Sequence, residues 1–165
     1  KNISNGIEFS GGSLGLGVSF GVGIAIANKL KENNSEVLVL VGDGECDEGI
    51  VWEALMSAAN YRLNNFTIII DRNMMQSDGK KSLIMDHQDI CEKVRSFGFD
   101  VHEVDGHNHL EINKAILATS NAPKAIVANT VKGYGISFME SNESWHHGTL
   151  RETQFTQAME ELRGN

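Results

Sequence analysis

Three short runs of apolar, largely β-branched residues set the limits on how this chain can fold: EVLVLV at Glu36–Val41, FTIII at Phe66–Ile70 and AIVA at Ala125–Ala128. Runs of this length without polar alternation suit strands covered on both faces, as in a parallel sheet. Between them lie stretches with helical spacing, at roughly Leu14–Leu30, Ile50–Arg62, Gln88–Phe97 and Leu110–Thr119, and a weaker strand at Phe99–Val104. Parallel neighbours need long crossovers, and helices supply them. The pattern predicts an α/β fold, an open and mostly parallel sheet with helices on both faces, built as a single domain over residues 1–165. Ligands of such sheets gather at the carboxyl ends of the strands, so the loops after Val41, Ile70 and Thr130 are where a site is expected. A last amphipathic stretch, Arg151–Leu162, reads as a surface or docking helix.

Charge narrows the partners. The formal net charge is -8, which argues against a nucleic-acid or anionic-membrane surface, since both require a basic patch. A phosphate group would have to be held locally, by backbone amides, a helix N-terminus or a metal. The two cysteines, Cys46 and Cys91, form neither a disulfide framework nor a CxxC pair, and a cytoplasmic location is the natural expectation. The opening KNISNGIEF lacks an apolar signal core, and no run approaches the ~18 apolar residues of a membrane span.

The chemistry concentrates in one loop. After the first strand comes Gly42-Asp43-Gly44-Glu45-Cys46-Asp47-Glu48-Gly49, followed by a helix containing Trp52 and Glu53. The glycines permit close approach of a ligand, and the helix start offers free amides and a partial positive charge, both suited to an anion. A bare carboxylate at Asp43 would repel a diphosphate unless a cation lay between them, an arrangement typical of magnesium. The next strand runs on through Asp71-Arg72-Asn73-Met74-Met75. Asn73 can therefore offer a second hard oxygen at the neighbouring strand end, and a carbonyl such as that of Met75 a third.

This glycine-aspartate-glycine, with an asparagine at the next strand end, resembles the cofactor motif of thiamin diphosphate enzymes. The surrounding DEGIVWEALMSAANYRLNNFTIIIDRN is similar to the transketolase version, as are GGSLGLGVSFGVGIAIANKL before it and DGH at Asp105–His107 and KGYGISF at Lys132–Phe138 after it. The resemblance runs from about Gly6 to His147. It implies the thiamin diphosphate-binding fold, with Asp43, Asn73 and the Met75 carbonyl as ligands of Mg2+ (or Ca2+ or Mn2+). Gly42, Asp43, Gly44, Glu45, Asn73 and Met75 would contact the cofactor, the Gly44 amide meeting the diphosphate. Glu48 and Glu53 would lie at a dimer interface between two cofactors, and His147 would face the donor substrate, with His146 as the alternative.

What the resemblance implies for function is transfer of two-carbon ketol units between sugar phosphates. Full transketolases carry residues ahead of this region and a second domain whose glutamate activates the aminopyrimidine ring. The expected partner is accordingly a C-terminal pyrimidine-binding subunit or domain, in a homodimer or heterotetramer. Leu16 stands where relatives often have histidine or glutamine, and Ser13 also departs from their pattern. A deoxyxylulose-phosphate synthase or 2-oxoacid dehydrogenase component, or a non-catalytic assembly module, are the competing readings. Other features read as structural: Gly15, Gly17 and Gly21 as helix packing, since no strand precedes them, His102, His107 and His109 as loop residues rather than zinc ligands, Cys46 as a bystander, and Met74 and Met75 as gap-filling side chains.

Overall fold

The apolar runs become strands whose two faces meet different helices. The computed structural model describes residues 7, 9–77, 79–86 and 88–164; Gly6 and Glu8, and the start of the chain, lie outside the described residues. In chain order the elements are α1 (Leu16–Leu30), β1 (Val37–Gly42), α2 (Gly49–Asn60), β2 (Phe66–Arg72), the short strands β3 (Met75–Gln76) and β4 (Gly79–Lys80), and α3 (Lys81–Ile84). There follow α4 (Ile90–Ser96), β5 (Asp100–Asp105), α5 (His109–Leu117), β6 (Lys124–Asn129) and α6 (Glu152–Gly164). The main sheet has the order β1-β2-β6-β5, and every pair in it is parallel.

Alternation along each strand sorts the core into two layers. Val41, Phe66, Ile68, Ile70, Ala125 and Val127 face α1, α2 and α4, where Val18, Val51, Leu55 and Val94 are fully buried. On the opposite face Ile126, Ala128 and Val104 meet α5 through Ala115, Ile112 and Ile116. Helices therefore cover both faces, as expected. On β1, however, Leu38 and Leu40 point to the second face, and Leu40 is 71% exposed.

Local chemistry sets the element ends. Asn108 caps α5 by accepting from the Leu110 and Glu111 amides, and Asp89 caps α4 by accepting from Glu92, satisfying donors that a helix start leaves unpaired. The buried Lys124 ammonium donates to the Ile116 and Ala118 carbonyls, at 2.6 and 2.8 Å, tying the end of α5 to β6. Helix α1 begins at Leu16, two residues later than the pattern suggested, because Gly15 has φ of 77°. A Cβ on Gly15 would lie 2.8 Å from Ile50 and 2.9 Å from Val51, so the entry to α1 is pressed against α2.

Of the glycines read as packing positions, Gly21 within α1 and Gly15 at its entry are pressed against neighbours, while an added Cβ on Gly17 would meet only ordinary contacts at 3.7 Å from Phe9. A Cβ on Gly21 would overlap Val39 Cγ2 and crowd Phe66 at 3.3 Å. Gly21→Ala is expected to destabilise the fold by about 1–3 kcal/mol, the usual range for overpacking a core, measured as a lower urea midpoint at unchanged slope.

Candidate functional site

The pairing of β1 with β2 brings the two candidate loops together. Gly42 lies opposite Asp71 in the register, and the Asp43 amide donates to the Asp71 carbonyl at 3.0 Å. Asp43 and Asn73 thus emerge at adjacent strand ends. The Asp43 side chain is 2% exposed, a setting unusual for a carboxylate. Its Oδ2 accepts the Met74 amide at 2.9 Å, while its Oδ1 is buried with no hydrogen-bond partner. Burial raises its pKa, only partly opposed by the Met74 amide, the Lys81 ammonium and the Gly44 amide, and the Asp71 carboxylate raises it further. An unpaired buried carboxylate oxygen is costly to keep, and a cation is the partner that would relieve it.

The asparagine is held in place from both sides. Asp71 accepts the Thr130 hydroxyl on one oxygen and the Asn73 amide nitrogen, at 2.9 Å, on the other. The Asn73 Oδ1 accepts the Met75 amide at 3.0 Å across Met74, which has φ of 60°. One lone pair of that oxygen remains for a further partner. The Lys81 amide donates to the Met74 carbonyl at 3.0 Å, so the adjacent antiparallel pair Met75–Lys80 is of the type that exchanges no hydrogen bonds. The Met75 carbonyl therefore points away from its hairpin partner, on the side where its amide meets Asn73. Oxygens of a carboxylate, an amide and a peptide form a hard donor set of the kind that suits magnesium. Among the described residues no group of three or more His, Cys, Asp and Glu could hold a metal; a set with a single carboxylate does not need one.

The acidic loop wraps around this centre. Gly44 is packed beneath Gln76, whose Cγ would lie 3.2 Å from an added Cβ. Residues Glu45–Asp47 form one 3-10 turn before α2. Glu45 is half-buried, and burial raises its pKa against the opposing effect of the Gly15 amide. Asp47 accepts from Lys81 Nζ at 2.7 Å and from Gln76 Nε2 at 2.6 Å. Cys46 is 1% exposed, and burial pushes its thiol up to about 12, the Lys81 ammonium opposing the rise.

Other expected site residues lie at the rim. Glu48 and Glu53 are exposed, at the entry and in the first turns of α2. His146 and His147 follow a 3-10 turn over Glu143–Trp145, and both are exposed. His146 Nε2 lies 3.0 Å from the Ser77 hydroxyl, on the β3–β4 turn, and the His147 ring sits edge-on to it with centroids 4.7 Å apart. Trp145 packs on Phe138, anchoring this segment. His107 is a structural loop residue: it accepts the Val131 amide at 2.8 Å and stacks on Tyr134. Sequence reasoning missed Thr130, Gln76 and Lys81. The first stood in a loop already marked for a site; the other two carried no local signal, because their hairpin was not foreseen.

The family described as "Transketolase, thiamine diphosphate binding domain" matches residues 1–164. The chain is 37% identical over 165 residues to one of the subunits of the apulose-4-phosphate transketolase of Actinobacillus succinogenes, covering 99% of this chain and 60% of that one. It is 39% identical over 160 residues to the 6-deoxy-6-sulfo-D-fructose transketolase subunit SqwG of a Clostridium species, covering 95% and 58%. Identity to the transketolase of Homo sapiens is 40% over 155 residues, 92% of this chain but 24% of that protein. Among solved structures, transketolase from Campylobacter jejuni superposes with a TM-score of 0.89 at 32% identity, over 98% of this chain and 27% of that one. The chain thus spans less than two thirds of the length of these relatives.

Two outcomes follow from the site. The folded metal-free chain keeps the Asp43 proton to higher pH than the unfolded chain does, so its stability falls as pH rises from the ordinary carboxylate range near 3.8 through the raised folded value. Asp43→Asn is expected to remove this pH dependence and raise the melting temperature at pH 7 without metal. Cys46 is expected to resist alkylation in the native chain at pH 8 and to react once urea unfolds it, followed by mass spectrometry.

Proposed function

We infer function from the family to which this chain belongs: it is a thiamin diphosphate-binding domain of the transketolase family. Among the described residues no helix is long and apolar enough to cross a membrane. The further reading we propose is that of one component of an enzyme that transfers two-carbon ketol units between sugar phosphates. The observation that carries it is the buried Asp43 carboxylate, whose unpartnered Oδ1 sits at the strand end next to Asn73.

In this reading Asp43 Oδ1, Asn73 Oδ1 and the Met75 carbonyl hold a divalent metal, Mg2+ by preference, with Ca2+ or Mn2+ able to replace it. The Gly44 amide meets the diphosphate, and Gly42 and Glu45 line its approach. When bound, thiamin diphosphate supplies the carbanion chemistry that breaks the bond beside a ketose carbonyl. The chain's own residues position and shield: Asp71 and Thr130 orient Asn73, and the Lys81–Asp47 pair closes the loop.

Sequence puts His147 first as the residue facing substrate, with His146 as the alternative; of the two we favour His146, because Ser77 anchors it to the site hairpin. Glu48 and Glu53, exposed here, suit an interface with a second copy, where carboxylates would lie between two cofactors. Relatives whose names make them single subunits of a transketolase support a separate partner carrying the pyrimidine-binding half, in a dimer or heterotetramer.

The test is thermal unfolding with thiamin diphosphate and magnesium against the same cofactor with EDTA. At about 100 times the dissociation constant, native-state binding adds roughly 2.7 kcal/mol. A magnesium-dependent rise in melting temperature that is lost in Asp43→Ala is the expected result. A rise that survives either EDTA or Asp43→Ala would refute this metal site.

A further inference from the structure

The turn after β5 grips the loop after β6. Asp105 lies opposite Asn129 in the register, and the Gly106 amide donates to the Asn129 carbonyl at 2.8 Å. A Cβ on Gly106 would overlap the Thr130 methyl, so the close approach of the two loops requires glycine here. Beyond Thr130, the Val131 amide donates to His107 Nε2 at 2.8 Å, and the half-buried ring stacks on Tyr134 with centroids 3.8 Å apart. A backbone amide can only donate, so Nε2 carries no proton in this arrangement, and the neutral ring keeps its proton on Nδ1.

Thr130 is thereby held on three sides. Its amide donates to the Arg72 carbonyl at 3.2 Å, its methyl lies against Gly106, and the peptide that follows it is fixed by His107. In a β-branched side chain, placing the methyl also places the hydroxyl. That hydroxyl donates to Asp71 Oδ1, and Asp71 Oδ2 accepts the Asn73 side-chain amide at 2.9 Å. The Asp105-Gly106-His107 turn is thus joined, through Val131, Thr130 and Asp71, to one of the candidate metal ligands.

Resting on the functional reading above, we propose that His107 is a positioning residue for Asn73: its neutral ring fixes Thr130, and protonation of Nε2 weakens the binding of thiamin diphosphate with its metal. In this role His107 touches neither metal nor cofactor. A protonated imidazole presents two donors and no acceptor, so it repels the amide that it held, and imidazoles make this change between about pH 5 and 8. The titratable groups on the elements packed here are Asp105 and His109, Glu111 of α5, and Lys132 and Tyr134 of the loop after β6. Asp105 accepts the His107 amide, and Glu111 accepts the Asp105 amide and the Asn108 side chain. His109 is the second imidazole nearby, so a test must remove the titration of His107 and leave that of His109 in place.

The experiment titrates thiamin diphosphate with magnesium into the native chain and into His107→Gln, by isothermal titration calorimetry at pH 8 and at pH 5.5. A glutamine oxygen can accept the same amide and does not titrate. The expected result is that the affinity of the variant relative to the native chain rises about fivefold from pH 8 to pH 5.5, the worth of roughly one hydrogen bond. A ratio that stays constant or falls overturns the assignment while leaving the metal site intact. No magnesium-dependent binding by the native chain at pH 8 overturns the functional reading, and this inference with it. A second measurement needs no variant. In NMR spectra of the cofactor-free native chain over the same pH range, the Asn73 side-chain amide resonances should move with the midpoint of the His107 ring protons. Asn73 resonances that do not follow the His107 titration overturn the assignment, even where His107→Gln fails to fold.

Discussion

Parallel hydrogen bonding between β1 and β2 is the interaction on which the candidate site depends. It is continuous from Val37–Phe66 to Gly42–Asp71 and extends one step further, through the Asp43 amide and the Asp71 carbonyl. Because the register is fixed by apolar residues that face α1 and α2, a slip of one residue would turn either Val41 or Ile70 out of the core. The same slip would part Asp43 from Met74. Core packing and the placing of the candidate ligands are thus specified by one ladder.

A second constraint is electrostatic. The chain is acidic overall, with a formal net charge of -8, yet it belongs to a family whose cofactor is itself an anion. The structure meets this conflict locally. Asp43 is withdrawn from water with one oxygen unpaired, Asp47 is matched to a buried lysine, and Asp71 is occupied by Thr130 and Asn73. Of these three carboxylates, Asp43 retains a buried oxygen without a partner. Its two acidic neighbours are matched by partners, and Asp43 is left as the exception.

Much of this was legible in the sequence, for physical reasons that differ by element. Strands covered on both faces leave compact β-branched runs, so β1, β2 and β6 could be read within a residue or two. Asp43 and Asn73 could be paired in advance because strand ends in an open α/β sheet face a common crevice. The hairpin at Met75–Lys80 could not. Its strands are two residues long, too short to carry a pattern, and it is held by Lys81 and Asp47, which lie far apart in sequence. The choice between the adjacent His146 and His147 was likewise not legible, because the contact of His146 with Ser77 joins residues far apart in sequence. Lys81 itself reads as an ordinary surface cation until its burial is known.

The order of strands has a consequence for how the chain is made. The strand between β2 and β5 is β6, the last in sequence of the four described strands of this sheet and the most thoroughly buried. During translation β1 and β2 can pair, and the loops bearing Asp43 and Asn73 can meet, while one long edge of β2 is still open. Thr130, which closes on Asp71, follows β6 and can take its place only when that strand inserts. An open apolar edge is also a template for pairing with other chains, and non-local parallel pairing is slow to form. The interval before β6 emerges is therefore when this fold is most exposed to misassembly on the ribosome.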